Sequence, residues 1–193
     1  MITLVAFLGN YGSEYSGTRH NVAWQFADSL ACLSSVNWQK KFKGLFASKT
    51  VEGRQVYFLK PETYMNLSGD SIIEAAHFYK IKAEEILVVH DELELPPGAI
   101  SLKWSGGLGG HNGLRSTKAV LQTADFWRLR FGIGRPNHPD IAGYVLSNFT
   151  ADERIIFSQQ FAKASELFEK LIEVKNPNNY LNSWKKVLPP AVK

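Results

Sequence analysis

His20 and Asp91 have the side chains that suit a general base and the carboxylate that orients it. A histidine titrates near pH 6.5, so it can take a proton under neutral conditions. A carboxylate on its other ring nitrogen fixes the tautomer and steadies the imidazolium that forms. His20 lies in Thr18-Arg19-His20-Asn21, at the opening of an apolar stretch with helical spacing. Asp91 follows the apolar run Ile86–His90, which has the length of a strand. No serine sits in a G-x-S-x-G elbow, so the expected nucleophile is water. Pattern alone leaves plainer roles open as well: His20 as a helix cap and Asp91 as a strand end.

Asn10, Asn21, Asn66 and Asn112 stand near the ends of expected strands or helices. A neutral amide can donate to a developing oxyanion and accept from water or a substrate amide. Such a set suits a polar, neutral substrate such as a peptide ester, although asparagine is also frequent in turns and caps. Gly106–Gly113 carries five glycines in eight residues. It matches neither G-x-x-x-x-G-K-[ST] nor a dinucleotide fingerprint, and is better read as backbone that something approaches closely. His111, inside it, suits a ligand, a substrate contact or a structural donor. No acidic cluster stands at metal-ligand spacing, so no metal and no cofactor is expected. Lys103, Arg115, Lys118, Arg128, Arg130 and Arg135 flank the loop. Lys103 and Arg130 lie on expected strands that lead toward it, where two cations can clamp a phosphate. Solvated surface charge is the plainer reading of the same residues.

These residues need strand and helix ends to hold them. Ile2–Leu8 reads as a strand buried on both faces. Val22, Phe26, Leu30 and Leu33 mark a helix over about Asn21–Leu33. Leu45–Thr50 and Gln55–Leu59 read as strands joined at Glu52-Gly53, and Ile72, Ala76 and Tyr79 as one face of a second helix. Ile86–His90, Ile100–Trp104 and Arg128–Ile133 read as strands, and Asn112–Leu121 as a helix. Thr150 and Glu153 have capping-box spacing ahead of a long helix bearing Phe157, Phe161, Ala164, Phe168 and Leu171 on one face. Pro177, Pro189 and Pro190 break up a basic tail. The alternation implies an α/β fold: a single-domain sandwich with a twisted, mixed and largely parallel sheet flanked by helices. In such folds ligands gather beyond the carboxyl ends of strands, here after Leu8, Val89 and Trp104.

The chain has 193 residues and a formal net charge of +4, which suits one domain and permits a polyanionic partner. No apolar run approaches the roughly 20 residues of a membrane-spanning helix. Met1–Leu8 lacks a basic leader and a cleavage site, so it is expected to be a strand and not a signal peptide. Cys32, the single cysteine, excludes an internal disulfide. It is expected to pack as a small buried residue in a reducing, cytoplasmic compartment.

The ordered motifs resemble bacterial-type peptidyl-tRNA hydrolase over most of the chain. The family's G-N-P-G-x-x-Y…T-R-H-N is similar to Gly9-Asn10-Tyr11-Gly12-Ser13-Glu14-Tyr15…Thr18-Arg19-His20-Asn21. K-P-x-T-[FY]-M-N-x-S-G corresponds to Lys60–Gly69, and H-D-[DE]-L-x-L-P-x-G to His90–Gly98. G-G-H-N-G-L is Gly109–Leu114, and R-L-R-x-G-I-G-x-P is Arg128–Pro136. The resemblance implies a monomeric, metal-independent esterase acting on peptidyl-tRNA. It further implies His20 as base, Asp91 as its orienter, and Asn10 and Asn66 as catalytic amides. Tyr15, Met65, His111 and Asn112 would contact substrate. Lys103 and Arg130 would clamp the tRNA 5′ phosphate, and a lid would span about residues 136–148. Three positions depart from the pattern: Tyr11 replaces proline, Leu108 enters the glycine loop, and Ser101 stands where some relatives carry lysine. Two rival readings belong to other classes. One is an RNA-binding relative without turnover. The other is an amidase using the same His–Asp pair, which would leave Lys103 and Arg130 without a purpose.

Overall fold

The computed structural model describes residues 1–189, so Pro190 lies outside the described residues. Seven strands form one sheet in the order β2-β3-β4-β1-β5-β7-β6. They are β1 (Leu4–Phe7), β2 (Gln39–Lys41), β3 (Gly44–Val51), β4 (Arg54–Pro61), β5 (Ile86–Glu92), β6 (Ile100–Trp104) and β7 (Trp127–Gly132). The four central strands β4, β1, β5 and β7 run parallel, and the margins are antiparallel.

Strand pleat divides the core into two layers. Val5, Phe7, Leu87, Val89, Leu129 and Phe131 face one side. There they meet α1 (Val22–Ser29) through Val22 and Phe26, and α5 (Ala151–Glu173) through Phe157, Leu167 and Phe168. Leu4, Ala6, Leu8, Ile86 and Val88 face the other side. These meet α2 (Ser68–Tyr79) through Ile72 and Ala76, and α3 (Asn112–Leu121) through Leu114. Every residue of β1 is therefore apolar, because helices cover both faces. The Thr150–Glu153 capping box opens α5 as the spacing predicted.

Several expected boundaries change. The first helix stops at Ser29, where Leu30 turns extended (ψ 111°), and a 3-10 turn carries Ala31–Leu33. The apolar spacing runs on because Leu30 and Leu33 still face the core, although the backbone has left the helix. Two short helices, α4 (Ile141–Val145) and α6 (Asn178–Leu181), occupy segments that showed no periodicity. Pro177 starts α6 instead of merely interrupting the tail, since proline suits a helix entrance. Cys32 is half-buried, not fully buried as expected. Burial, with Glu169 nearby, raises its thiol pKa, which keeps it a poor nucleophile.

Candidate functional site

The carboxyl ends of β1, β4 and β5 form the floor of the site, as the strand-end rule anticipates. His20 sits in a 3-10 turn, Arg19–Asn21, that leads into α1. Its Nδ1 lies 2.9 Å from Asp91 Oδ1 near the end of β5. Neutral His20 donates its Nδ1 proton to that carboxylate, which leaves the Nε2 lone pair available. His20 is 8% exposed and Asp91 2%, and His20 lines two adjoining cavities. Burial opposes charging the imidazole, but the charge and hydrogen bond of Asp91 outweigh it and raise the pKa above 6.5. Burial also opposes ionising Asp91. The charges and hydrogen bonds of His20 and His111 hold it well below the usual carboxylate range.

The same Asp91 oxygen accepts a second imidazole, His111 Nε2, at 2.8 Å. His111 is also the N-cap of α3: its Nδ1 accepts from the backbone N–H groups of Gly113 (3.1 Å) and Leu114 (3.3 Å). Those donors require a lone pair on Nδ1, so the proton of the neutral ring lies on Nε2 and is donated to Asp91. His20, Asp91 and His111 therefore cluster at distances that also suit metal ligands. The helix cap nevertheless leaves His111 no lone pair to offer a metal at Nε2. Gly113 lets α3 approach the strand ends, since a Cβ there would lie 2.6 Å from Met65 Sδ and 2.8 Å from a Leu8 methyl. His90 faces the other layer and donates Nδ1–H to the Asp91 carbonyl at 2.6 Å. Burial pushes the His90 pKa well below the usual imidazole value, so this ring is neutral.

The amides converge on one side of His20. A cavity of about 450 Å³ is lined by Asn10, Tyr15, His20, Met65, Asn66 and Asn112, together with Tyr64 and residues of α4. Asn10 Oδ1 accepts from Met65 N at 2.8 Å, so its Nδ2 is the free end of the amide. Asn10 is itself held by Asn21, whose side chain accepts from Asn10 N and donates to Asn10 O, both at 2.9 Å. Sequence reasoning grouped Asn21 with the other asparagines but gave it no separate task. A second cavity, of about 240 Å³, shares His20 and Asn112 with the first and adds Asp91, Glu92, Gly109, Gly110 and His111. Ile141, Ala142 and Val145 of α4 roof it, within the stretch expected to be a lid.

The cations beyond Glu92 divide into two kinds. Arg128 is buried and donates to the carbonyls of Gly107 (2.6 Å) and Gly106 (2.8 Å), which ties down the glycine loop. It is a structural brace and not solvated surface charge. Arg130 donates to Ser101 Oγ at 2.8 Å and, weakly, to Glu92 at 3.4 Å. Lys103 pairs across β6–β7 with Arg128. Partial burial, then the charges of Arg130 and Arg128, lowers its pKa. Like charges held this close favour an incoming anion.

Arg19 was also left without a role by the sequence. Its guanidinium bonds Glu153 at 2.7 Å, Ser147 Oγ at 2.5 Å and the Asn148 carbonyl at 3.0 Å, and lies 4.4 Å from the centre of the Tyr144 ring. It thus fastens the end of the α4 segment to α5 immediately beside the base. Arg19→Met is expected to cost roughly 3 kcal/mol of unfolding free energy, because it leaves a largely buried Glu153 carboxylate without its cation. Urea titration measures this, and a loss within error of zero would show that the pair is dispensable.

The sequence matches the peptidyl-tRNA hydrolase family over residues 4–189. It is 46% identical over 194 residues to the peptidyl-tRNA hydrolase of Treponema pallidum, covering 96% of this chain and 95% of that one. It is 51% identical over 151 residues to that of Desulfitobacterium hafniense, covering 78% and 82%. The crystal structure of peptidyl-tRNA hydrolase from Acinetobacter baumannii superimposes with a TM-score of 0.90 at 37% identity, covering 98% of this chain and 97% of that one. A shared architecture at that identity, with the family's motifs gathered around one histidine, makes this chain a member of the peptidyl-tRNA hydrolase family.

Proposed function

We propose that this chain hydrolyses the ester joining a peptide to the 3′ end of tRNA, freeing the tRNA for reuse, with His20 as general base. The observation that carries the reading is the pairing of His20 with Asp91 at 2.9 Å on the floor of a cavity also lined by Asn10, Asn66 and Asn112. His20 Nε2 takes a proton from water as the water oxygen bonds to the ester carbonyl carbon. Asn66, exposed at the cavity mouth, donates to the oxyanion. Asn10 and Asn112 hold the ester and the adjacent peptide unit, with Tyr15 and Met65 as walls. The carbon–oxygen bond to the ribose then breaks, and the imidazolium returns its proton to the leaving oxygen. His111 keeps Asp91 in register from the far side.

Lys103 and Arg130 take the tRNA 5′ phosphate, and α4 with its flanks acts as the lid over residues 136–148. The whole of residues 1–193 works as one domain, as a monomer in the cytoplasm and without a cofactor. In support, one chain supplies every residue of the site. Among the described residues no helix is long and apolar enough to cross a membrane. The test is hydrolysis of N-acetylated aminoacyl-tRNA over a range of salt concentrations, wild type beside Lys103→Ala. The variant is expected to raise KM about tenfold and to reduce the slope of log KM against log salt by about one, as for one lost phosphate contact. No hydrolysis by the wild type would refute the function, and an unchanged slope would refute the clamp.

A further inference from the structure

A third cavity adjoins the amide-lined one and has no part in the chemistry above. It encloses about 710 Å³ and is lined by Tyr11, Gly12, Ser13, Glu14, Ser16, Trp24, Glu62 and Tyr64. Tyr64 also lines the amide cavity, and Tyr11 directly follows Asn10, so the two spaces are neighbours across Tyr64. We propose that this third cavity is a subsite for the peptide residue upstream of the esterified one, and that it selects a cationic side chain, lysine or arginine. The inference rests on the peptidyl-tRNA reading and adds a substrate preference to it.

Three observations support it. The first is wall chemistry. Among the described residues, three aromatic side chains and two carboxylates line the space, and no lysine, arginine or histidine does. Aromatic faces attract ammonium and guanidinium groups, and carboxylates hydrogen-bond them with charge assistance. Trp24 is held in place by its Nε1 donating to the Phe7 carbonyl at 2.9 Å, so its ring needs no ordering on binding.

The second is that the carboxylates are free to act. Glu14 has no ion-pair partner among the described residues, and its side chain folds over Gly12. Among the described residues, Glu62 is reached only by the well-exposed ammonium of Lys40, at 3.8 Å. The nearby Lys60 ammonium, 5.7 Å from the Trp24 ring centre, is taken up by Asp28. Tyr11 and Tyr64 are 52% and 65% exposed, unusually high for large apolar rings.

The third is the order of sites along the face. Lys103, Arg128 and Arg130 lie beyond Glu92, which lines the cavity on one side of His20. The acidic, aromatic space lies beyond Tyr64 on the other side. A polyanion is attracted to the first end and repelled from the second, so the chain of the peptide leaves the ester toward Glu14 and Glu62. Tyr11 stands where the family pattern has proline, so it adds an aromatic face to the wall where the pattern has none.

The experiment compares kcat/KM for N-acetyl-Xaa-alanyl-tRNA in which Xaa is arginine, glycine or glutamate. Comparing substrates within one enzyme preparation cancels any difference in folded fraction. The wild type is expected to favour arginine over glycine about fivefold and to place glutamate below glycine. In Glu14→Gln/Glu62→Gln the three values should converge, and in Glu14→Lys/Glu62→Lys the order should invert. Equal values in the wild type, or an arginine preference that survives both double variants, would overturn the subsite while leaving the hydrolase reading intact. Absence of turnover on all three substrates would remove that reading and the subsite with it.

Discussion

His20→Ala is expected to lower kcat on peptidyl-tRNA by about 10³-fold, within the ~10²–10⁴ range of a positioned base, with substrate affinity nearly unchanged. The imidazole acts only in proton transfer, first from water and then to the leaving ribose oxygen, so its loss is felt in the transition state more than in binding. Residual turnover should remain, because the amides of Asn10, Asn66 and Asn112 still meet the oxyanion and the ester. The variant should also fold. Asp91 keeps His111 Nε2 at 2.8 Å, so its buried charge is not left without a donor. Single-turnover kinetics separates the chemical step from binding. A folded variant with wild-type kcat would eliminate His20 as the base.

Asp91→Asn is expected to cost about 10³-fold in kcat/KM, chiefly through the lost charge that stabilises the imidazolium. Because the same atom accepts from both His20 Nδ1 and His111 Nε2, the asparagine keeps its amide oxygen there and the tautomers are retained, but the carboxylate charge is gone. The pH profile gives the sharper readout. In the wild type, activity requires unprotonated His20, so log kcat/KM should rise with pH to a plateau whose midpoint lies above 6.5. Removing the carboxylate leaves burial as the main influence on His20, and burial depresses its pKa, so the midpoint should move downward. A variant that keeps the wild-type midpoint would contradict the coupling. The same substitution affects stability. The depressed pKa of Asp91 means that its ionised form stabilises the fold above the ordinary carboxylate value of about 3.9, a contribution lost as pH falls. The variant should therefore be less stable than wild type at neutral pH, and the gap should narrow in acid.

The sheet was legible because the apolar runs of β1 and β5, covered on both faces, stand out against the turns between them, and because β7 alternates apolar with polar residues. β2 was not legible, since Gln39-Lys40-Lys41 is three mostly polar residues on a sheet margin and carries no period. α4 spans only five residues and owes its start to Asp140, whose carboxylate accepts from Gly143 N at 2.8 Å, not to any apolar stripe. In the site, residue types and strand-end positions were enough to suggest His20, Asp91 and the amides. They were not enough to reveal that His111 shares the Asp91 oxygen, that Asn21 grips the backbone of Asn10, or that Arg128 braces Gly106 and Gly107. Each of those contacts joins residues at least eleven positions apart in the chain, and local pattern has no access to them.

β6 is the outermost strand on its side of the sheet, yet its edge is not bare. Ile100 exchanges backbone hydrogen bonds with Val187, and Leu102 N donates to the Trp184 carbonyl. Ser101, between them, donates to the Lys185 carbonyl and accepts from Arg130. The closing segment of the polypeptide thus works as a removable zip whose middle tooth is linked to a guanidinium of the proposed phosphate grip. Proteolytic clipping ahead of Trp184 would take away the Lys185 carbonyl that orients Ser101 Oγ and bare a strand margin open to intermolecular pairing. Such a nicked molecule would be expected to self-associate while its imidazole and carboxylate still stood in register.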